Sequence, residues 1–212
     1  LEEAVQLTEQ YGGESTVLTL GPAESHEQLR DALAMGVHNA ILLQTDGQEW
    51  NAIATALAIA DTVCGLRDQG HNFDVLLFGN DAADTGGSQV GIRVAHALDM
   101  PCVTGIKALE IADGIGEARR EASGGWEVFK VSLPAVFTVK EGINLPRFRT
   151  MPGRLKAKRA PITKIDPQWS AGGFTKVRLK NPPEQNIQVE ILGEGQHACL
   201  RVVEILREMQ LL

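Results

Sequence analysis

Short, almost uninterrupted apolar runs recur along the chain, at Thr16 to Leu20, Ala40 to Leu43, Val75 to Phe78 and Ala135 to Val139. Helical spacing fills the gaps between the first three. Ser25 is placed to cap a helix through Leu29, Leu33 and Met35 that Gly36 closes, and Trp50 to Leu66 forms a longer one. Ahead of them Glu2 to Gln10 sets Ala4, Val5 and Leu7 on one face, with Gly12-Gly13 as a stop. Continuous apolar strands divided by helices predict a parallel sheet covered on both faces, with right-handed crossovers. From Gly105 the period changes. Ile106 to Ile111, Ile115 to Glu121 and Trp126 to Leu133 are short strands joined by Asp-Gly and Gly-Gly turns, which predicts an antiparallel ribbon leading back into Ala135 to Val139. Beyond it Asp166-Pro167, Gly172-Gly173 and Asn181-Pro182-Pro183 break the chain until Gln196 to Met209, a terminal helix with Val202, Val203, Ile205 and Leu206 on its apolar side. The expected organisation is an α/β domain over 1–165 and an extended arm over 166–212. Such an arm buries itself poorly alone, so it packs on a partner subunit or back on its own domain.

Charge changes the picture in one place. The chain is acidic, with a formal net charge of -7 and 20 Lys and Arg. Yet the proline-spaced stretch after Val139, read as a loop, carries Arg147, Arg149, Arg154, Lys156, Lys158, Arg159 and Lys164, and no acid stands between Glu141 and Asp166. A solvated face is one reading of such a run. Met151 and Leu155 among the charges point to another, a docking surface with an apolar anchor in a charged rim. The acidic balance argues against general nucleic-acid binding. No apolar run is long enough to span a membrane. Leu1 to Gln10 has neither the charged start nor the cleavage site of a targeting peptide, and a first residue of Leu leaves the true beginning open. Cys64, Cys102 and Cys199 have no motif spacing and read as structural thiols of a reducing compartment.

The segment Gly79-Asn80-Asp81-Ala82-Ala83-Asp84-Thr85-Gly86-Gly87-Ser88-Gln89-Val90-Gly91 comes after the third apolar strand and opens a helix through Ile92, Val94, Ala95 and Leu98. Ligands of open parallel sheets bind beyond the carboxyl ends of strands. Small residues there let backbone amides approach a phosphate, helped by the helix start, so Gly86, Gly87, Ser88 and Gln89 are candidate phosphate contacts. A turn that merely needs glycines reads the same way. The spacing is neither the dinucleotide G-x-G-x-x-G nor a P-loop. Asp81 and Asp84 suit acid–base work or, more commonly in such a loop, Asx turns that order it. Leu20-Gly21-Pro22 flanks the same crevice. His26, His38, His71, His96 and His197 show no metal-ligand spacing. No catalytic constellation or metal site is expected, and a nucleotide-binding, partner-docking protein is favoured over an enzyme.

An ordered series of motifs resembles the β subunit of electron transfer flavoproteins. It comprises Arg120-Glu121-x-x-Gly124-Gly125, Leu133-Pro134-Ala135-Val136-x-Thr138, Asn144-x-Pro146-Arg147-Phe148 and Lys156-Ala157-Lys158-Arg159-x-x-Ile162. Gly21-Pro22-Ala23, Ala32-Leu33-Ala34-Met35-Gly36 and Gln89-x-Gly91 also fit, so the resemblance covers essentially the whole chain. Relative to the family, an N-terminal stretch is absent that supplies the first strand and some nucleotide and flavin contacts.

The resemblance implies an adenine nucleotide hydrolase-like fold, a doubly wound, mostly parallel sheet with the ribbon and C-terminal arm added. It implies half of a heterodimer whose α subunit carries most of a redox-active FAD, with no bond-making chemistry in this chain. Structural AMP is implied on Gly79 to Val90, with Leu20 as a further contact. Here Thr85-Gly86-Gly87 and Gln89-Val90-Gly91 depart from the common pattern, and Gln-Val-Gly resembles the electron-bifurcating branch, where a second FAD replaces AMP and electrons come from NADH. AMP remains the favoured expectation. Met151 aligns with the anchor that enters a pocket on acyl-CoA dehydrogenases of fatty acid β-oxidation, with Pro152, Arg154, Leu155, Lys156, Lys158 and Arg159 around it. Glu121 aligns with a contact to an α-subunit arginine near the flavin. Electrons are implied to pass on to a membrane quinone oxidoreductase, with this chain itself not inserted, in the cytoplasm of a prokaryote or the mitochondrial matrix of a eukaryote. From another class, an ATP-binding hydrolase-like enzyme would use Asp84 and Ser88 around a phosphate.

Overall fold

A computed structural model describes residues 1–82, 86–173, 177–181 and 190–212. It divides into Leu1–Thr175 and Lys176–Leu212. The first unit is a mixed α/β structure, and its elements track the apolar runs. They are α1 (Glu2–Tyr11), β1 (Thr16–Gly21), α2 (His26–Met35), β2 (Asn39–Gln44), α3 (Ala52–Asp68), β3 (Val75–Gly79), α4 (Val90–Ala97), β4 (Cys102–Ala112), β5 (Ile115–Ala122), β6 (Gly125–Ser132), β7 (Ala135–Val139), α5 (Met151–Arg159) and β8 (Thr163–Ile165). Two hydrogen-bonded sheets result. One is parallel with order β1-β2-β8, and the other has order β3-β7-β4-β5-β6. β7 pairs in parallel with both β3 and β4, whereas β4, β5 and β6 form the antiparallel ribbon.

Helix α3 links the sheets. Its sequence is apolar nearly all round, and such a helix is stable only when several faces are covered. Ala58 packs with Ile41 and Leu43 of the first sheet, and Ala56, Ala60 and Val63 pack with Val94 and Leu98. Ile59 lies against both clusters. Asn51 caps α3, its side chain accepting the N–H groups of Ile53 and Ala54 at 3.0 Å. The Asn51 amide also donates to Gly172 O at 2.7 Å, and Trp50 meets Trp169 edge to face with centroids 5.1 Å apart, so residues Pro167 to Gly173 run along the first unit. Ser25 does not cap α2 as its sequence position predicts. A 3-10 turn over Ala23–Ser25 carries the chain directly into the helix, and the Ser25 side chain lies against Gly21 instead.

The basic stretch predicted as a loop contains a helix. Thr150 caps α5 by accepting Gly153 N–H at 3.1 Å, and Pro152 lies in the first turn, where its missing N–H breaks no bond. Gly153 is required by close approach, since a Cβ there would stand 2.6 Å from Ala34 O on α2. Ala157 is buried with Leu29, Leu33 and Leu42, and the Arg30 guanidinium donates to the carbonyls of Ala157 and Ala160 at the end of α5.

Ahead of α5, Arg147 ties the chain to α1. Its guanidinium meets both oxygens of Glu2 at 2.9–3.0 Å and both of Glu9 at 2.6 and 2.8 Å, and its own backbone N–H donates to Glu2 at 3.0 Å. Glu2 is buried, and bonding to Arg147 holds its carboxyl down to about 2 against an ordinary 4.5. Burial pushes neighbouring Glu3 the other way, opposed by the Asn144 amide at 2.7 Å.

In the second unit a 3-10 turn at Gly195–His197 leads into α6 (Ala198–Glu208), none of whose residues is buried. Leu200, Val202 and Val203 are exposed, and Arg201 bridges Glu204 at 3.0 Å and Glu208 at 3.5 Å. Among the described residues, no helix is long and apolar enough to cross a membrane.

The Glu2–Arg147 clamp predicts acid sensitivity. Because the folded-state carboxyl titrates below its unfolded value, its stabilisation is full above pH 4.5 and is lost as pH falls toward 2. Glu2→Gln should lower stability by about 2 kcal/mol at pH 7 and flatten that part of the stability–pH curve, as measured by urea unfolding at a series of pH values.

Candidate functional site

The glycine-rich segment leaves the sheet where β3 ends at Gly79. Asn80 continues the ladder for one bond, its N–H donating to Val139 O at 3.0 Å. Its side-chain oxygen accepts the Thr138 hydroxyl at 3.2 Å, and that hydroxyl oxygen accepts Gly105 N–H at 2.9 Å. Thr138 is buried, so one hydroxyl fixes β7, the bend of β4 and the loop root together. Asp81 orders the next turns of the loop: its Oδ1 accepts the N–H groups of Ala82 at 3.0 Å and Ser88 at 3.2 Å, while Gly86 N–H donates to Ala82 O at 2.8 Å. Ser88 has φ 47°, the left-handed region. Ala83, Asp84 and Thr85 lie outside the described residues.

Gly91 allows α4 to start tight against the sheet. A Cβ there would stand 2.9 Å from Thr138 Cγ2 and 3.1 Å from Phe78. Gln89 flanks the helix start, but its side-chain carbonyl accepts the Arg93 guanidinium at 2.9 and 3.1 Å instead of capping the backbone. Gln89 also borders an apolar groove of about 720 Å³ between α3 and α4, lined by Ile53, Leu57, Ile92 and His96 among others. Leu20 falls in the first sheet, packed near Ile41 and Leu43. The structure therefore gathers Gly79 to Ala82 and Gly86 to Val90 at one end of the second sheet and puts Leu20 at the end of β1.

On the outer face of the ribbon Glu121 pairs across the ladder with Trp126. Its carboxylate accepts Lys107 Nζ at 2.5 Å, and that bond holds its titration below the ordinary range, with Lys140 adding a weaker pull. Arg120 faces inward, bridging Glu127 at 2.7 Å and the Thr104 hydroxyl at 3.2 Å with its guanidinium 4.9 Å over the Phe129 ring.

The candidate docking residues sit on α5. Met151 and Leu155, one turn apart, are 68% and 62% exposed, and Pro152, Arg154, Lys156, Lys158 and Arg159 are also exposed. Arg147 and Arg149 are not part of this rim, because Glu2 and Glu9 hold the first and Asp31 holds the second. Sequence reasoning missed Leu145 and Phe148, which are 90% and 97% exposed in the segment that leads into α5. The signal was present: both are large apolar residues in the same polar stretch, and the logic applied to Met151 reaches them.

The family model for the electron transfer flavoprotein domain matches residues 1–168. The chain is similar to the electron transfer flavoprotein subunit beta of Bacillus subtilis, with 34% identity over 98% of this chain and 82% of the relative. It is also similar to the subunit beta of Syntrophomonas wolfei, with 35% identity over 96% and 79%. A third relative is the caffeyl-CoA reductase-Etf complex subunit CarD of Acetobacterium woodii, at 33% identity over 77% and 62%.

The tight seat of α4 gives a direct check. Gly91→Val should clash with Thr138 and Phe78, two side chains fixed in the sheet, and lower the midpoint of thermal unfolding by an amount corresponding to about 1–3 kcal/mol.

Proposed function

As a member of the electron transfer flavoprotein β-subunit family, an electron transfer protein, this chain, we propose, is the nucleotide-holding and donor-docking half of a heterodimer. It binds AMP at the glycine-rich loop and presents α5 to acyl-CoA and related flavin dehydrogenases, so that electrons pass through the FAD of the α subunit to a quinone oxidoreductase. The work is done in the cytoplasm and requires no bond-making chemistry from this chain. The observation that carries the docking part is the two-sided anchoring of α5. Its inner side is held by Gly153, Ala157 and Arg30, while Met151 and Leu155 face out among cations that form no ion pair among the described residues. An apolar knob on a rigid mount loses little entropy on insertion into a partner pocket, and the surrounding charges steer encounter more than they hold.

The donor set of the loop fits an adenine nucleotide. Asp81 is an acceptor suited to ribose hydroxyls, and Ala82, Gly86 and Gly87 let a ligand approach the backbone. The Asn80 amide nitrogen has no partner among the described residues. The FAD, when bound in the heterodimer, supplies the electron-carrying chemistry. This chain's part is to position: Glu121 offers a carboxylate to an α-subunit arginine, and until then that carboxylate accepts Lys107 Nζ.

The two sheets are read as parts of one doubly wound, adenine nucleotide hydrolase-like layer. The helix α3 packed on both supports this. The arm is read as packing on the partner subunit, in keeping with the exposed apolar residues of α6. A second reading has its own support: Gln89-Val90-Gly91 and the similarity to the CarD subunit favour a bifurcating β subunit with its own FAD.

Mass spectrometry of nucleotide released from the denatured heterodimer should find one AMP and one FAD. Two FAD would replace the AMP reading with the bifurcating one. Met151→Ala and Phe148→Ala should each slow dehydrogenase-dependent flavin reduction roughly tenfold at subsaturating donor with flavin content unchanged, and unaltered stopped-flow kinetics would remove α5 from the docking surface.

A further inference from the structure

The glycine-rich loop carries its own negative charge where a ligand phosphate would be received. Asp81 Oδ1 takes the N–H groups of Ala82 and Ser88, so two backbone donors of the loop already face a carboxylate. A phosphate brought to those amides meets a like charge on an exposed loop, an unfavourable encounter that solvent screens in part. A cation brought from outside the loop offsets that repulsion.

Lys140 is such a cation. It is the first residue past β7, and its backbone N–H donates to Ile106 O at 2.9 Å. A Cβ built on Gly105 would lie 3.4 Å from Lys140 Cε and 3.4 Å from Asn80 Oδ1, so the two side chains are neighbours across that glycine. β4 is irregular there on both sides, its register shifting between Val103 and Ile106 against β7 and between Ile106 and Ala108 against β5. Bulges of this kind re-aim side chains beside sites. The Thr138 hydroxyl occupies the Asn80 oxygen and thereby fixes the amide, whose nitrogen remains a donor with no partner among the described residues. The Lys140 side chain is exposed, and its ammonium makes no hydrogen bond or ion pair among them. The carboxylate it feels, Glu121, is already bonded to Lys107.

We infer that Lys140 is the phosphate-binding cation of the nucleotide site, acting with the side-chain amide of Asn80 at the carboxyl ends of β7 and β3. Asp81 orders the loop and faces the ligand's hydroxyls. This rests on reading the loop as a nucleotide site. Lysine suits the task as a compact point charge on a long stem. The position also gives the nucleotide and the Glu121 contact a shared electrostatic neighbour.

The heterodimer, stripped of nucleotide, is titrated calorimetrically with AMP, FAD and adenosine in three forms: native, Lys140→Gln and Lys140→Arg. Lys140→Gln should weaken whichever of AMP or FAD the native protein binds by about tenfold and make that affinity less dependent on salt. Adenosine should change less than about twofold, Lys140→Arg should recover most of the loss, and all three forms should melt together without ligand. Native-like affinity and salt dependence in Lys140→Gln, or parallel loss of AMP and adenosine binding, would overturn the role of Lys140 and leave the loop as a nucleotide site. Native protein that takes up neither AMP nor FAD would overturn both.

Discussion

The hydroxyl of Thr138 is the point on which the functional end of the second sheet depends. It is buried, accepts Gly105 N–H and donates to Asn80, so the bend in β4 and the root of the glycine-rich loop are both referred to one atom. The methyl of the same side chain limits residue 91 to glycine and so sets how close α4 can come. A buried hydroxyl without partners is unfavourable by a few kcal/mol, so this geometry is strongly selected once β7 is in place. β7 in turn pairs with strands on both sides, its Val136 facing Leu76 and Cys102. Loop, helix start and ribbon are thus consequences of one central strand and one polar atom on it.

The other end of the unit is organised by charge. Arg147 draws two carboxylates of α1 together, one of them buried, and Arg149 reaches Asp31 of α2. With Arg30 on the carbonyls that close α5, these contacts fasten the segment before and after the helix to the core while the helix keeps an apolar face outward. Exposure of Leu145, Phe148, Met151 and Leu155 is therefore not looseness. The backbone that carries them is held at both ends by arginines with several acceptors each.

Most elements up to Val139 were legible because apolar continuity and helical spacing come from burial itself, and burial is what the sequence encodes most directly. The helix α5 was not, since Pro152 and Gly153 look like breakers. Their effect depends on position: proline is tolerated in a first turn, and this glycine answers to Ala34 O, a contact remote in sequence. The cap expected from Ser25 failed for a similar reason, because a 3-10 turn and the Gly21 contact take up that side chain. Asp81 as the residue that orders the loop was readable from Asx-turn chemistry. Lys140 was not, because nothing near it in sequence marks it, and it is the parallel register of β3 and β7, with Gly79 opposite Val139, that sets it beside Asn80.

A division among the cations arises from their chemistry. Guanidinium groups with several partners brace the fold: Arg147 on Glu2 and Glu9, Arg30 on two carbonyls, and Arg120 between Glu127, Thr104 and the Phe129 ring. A planar, multiply donating group loses less per bond when several acceptors are fixed around it, so arginine suits these internal junctions. Lys140, Lys156 and Lys158 are exposed single charges that form no ion pair among the described residues. Lys107 and Lys130, tied to Glu121 and Glu117, lie between these cases, paired on an exposed face where a competing charge can displace them. Among the described residues, Lys140 at the carboxyl end of the second sheet and Arg154, Lys156, Lys158 and Arg159 around the exposed apolar side chains of α5 are exposed cations that form no ion pair.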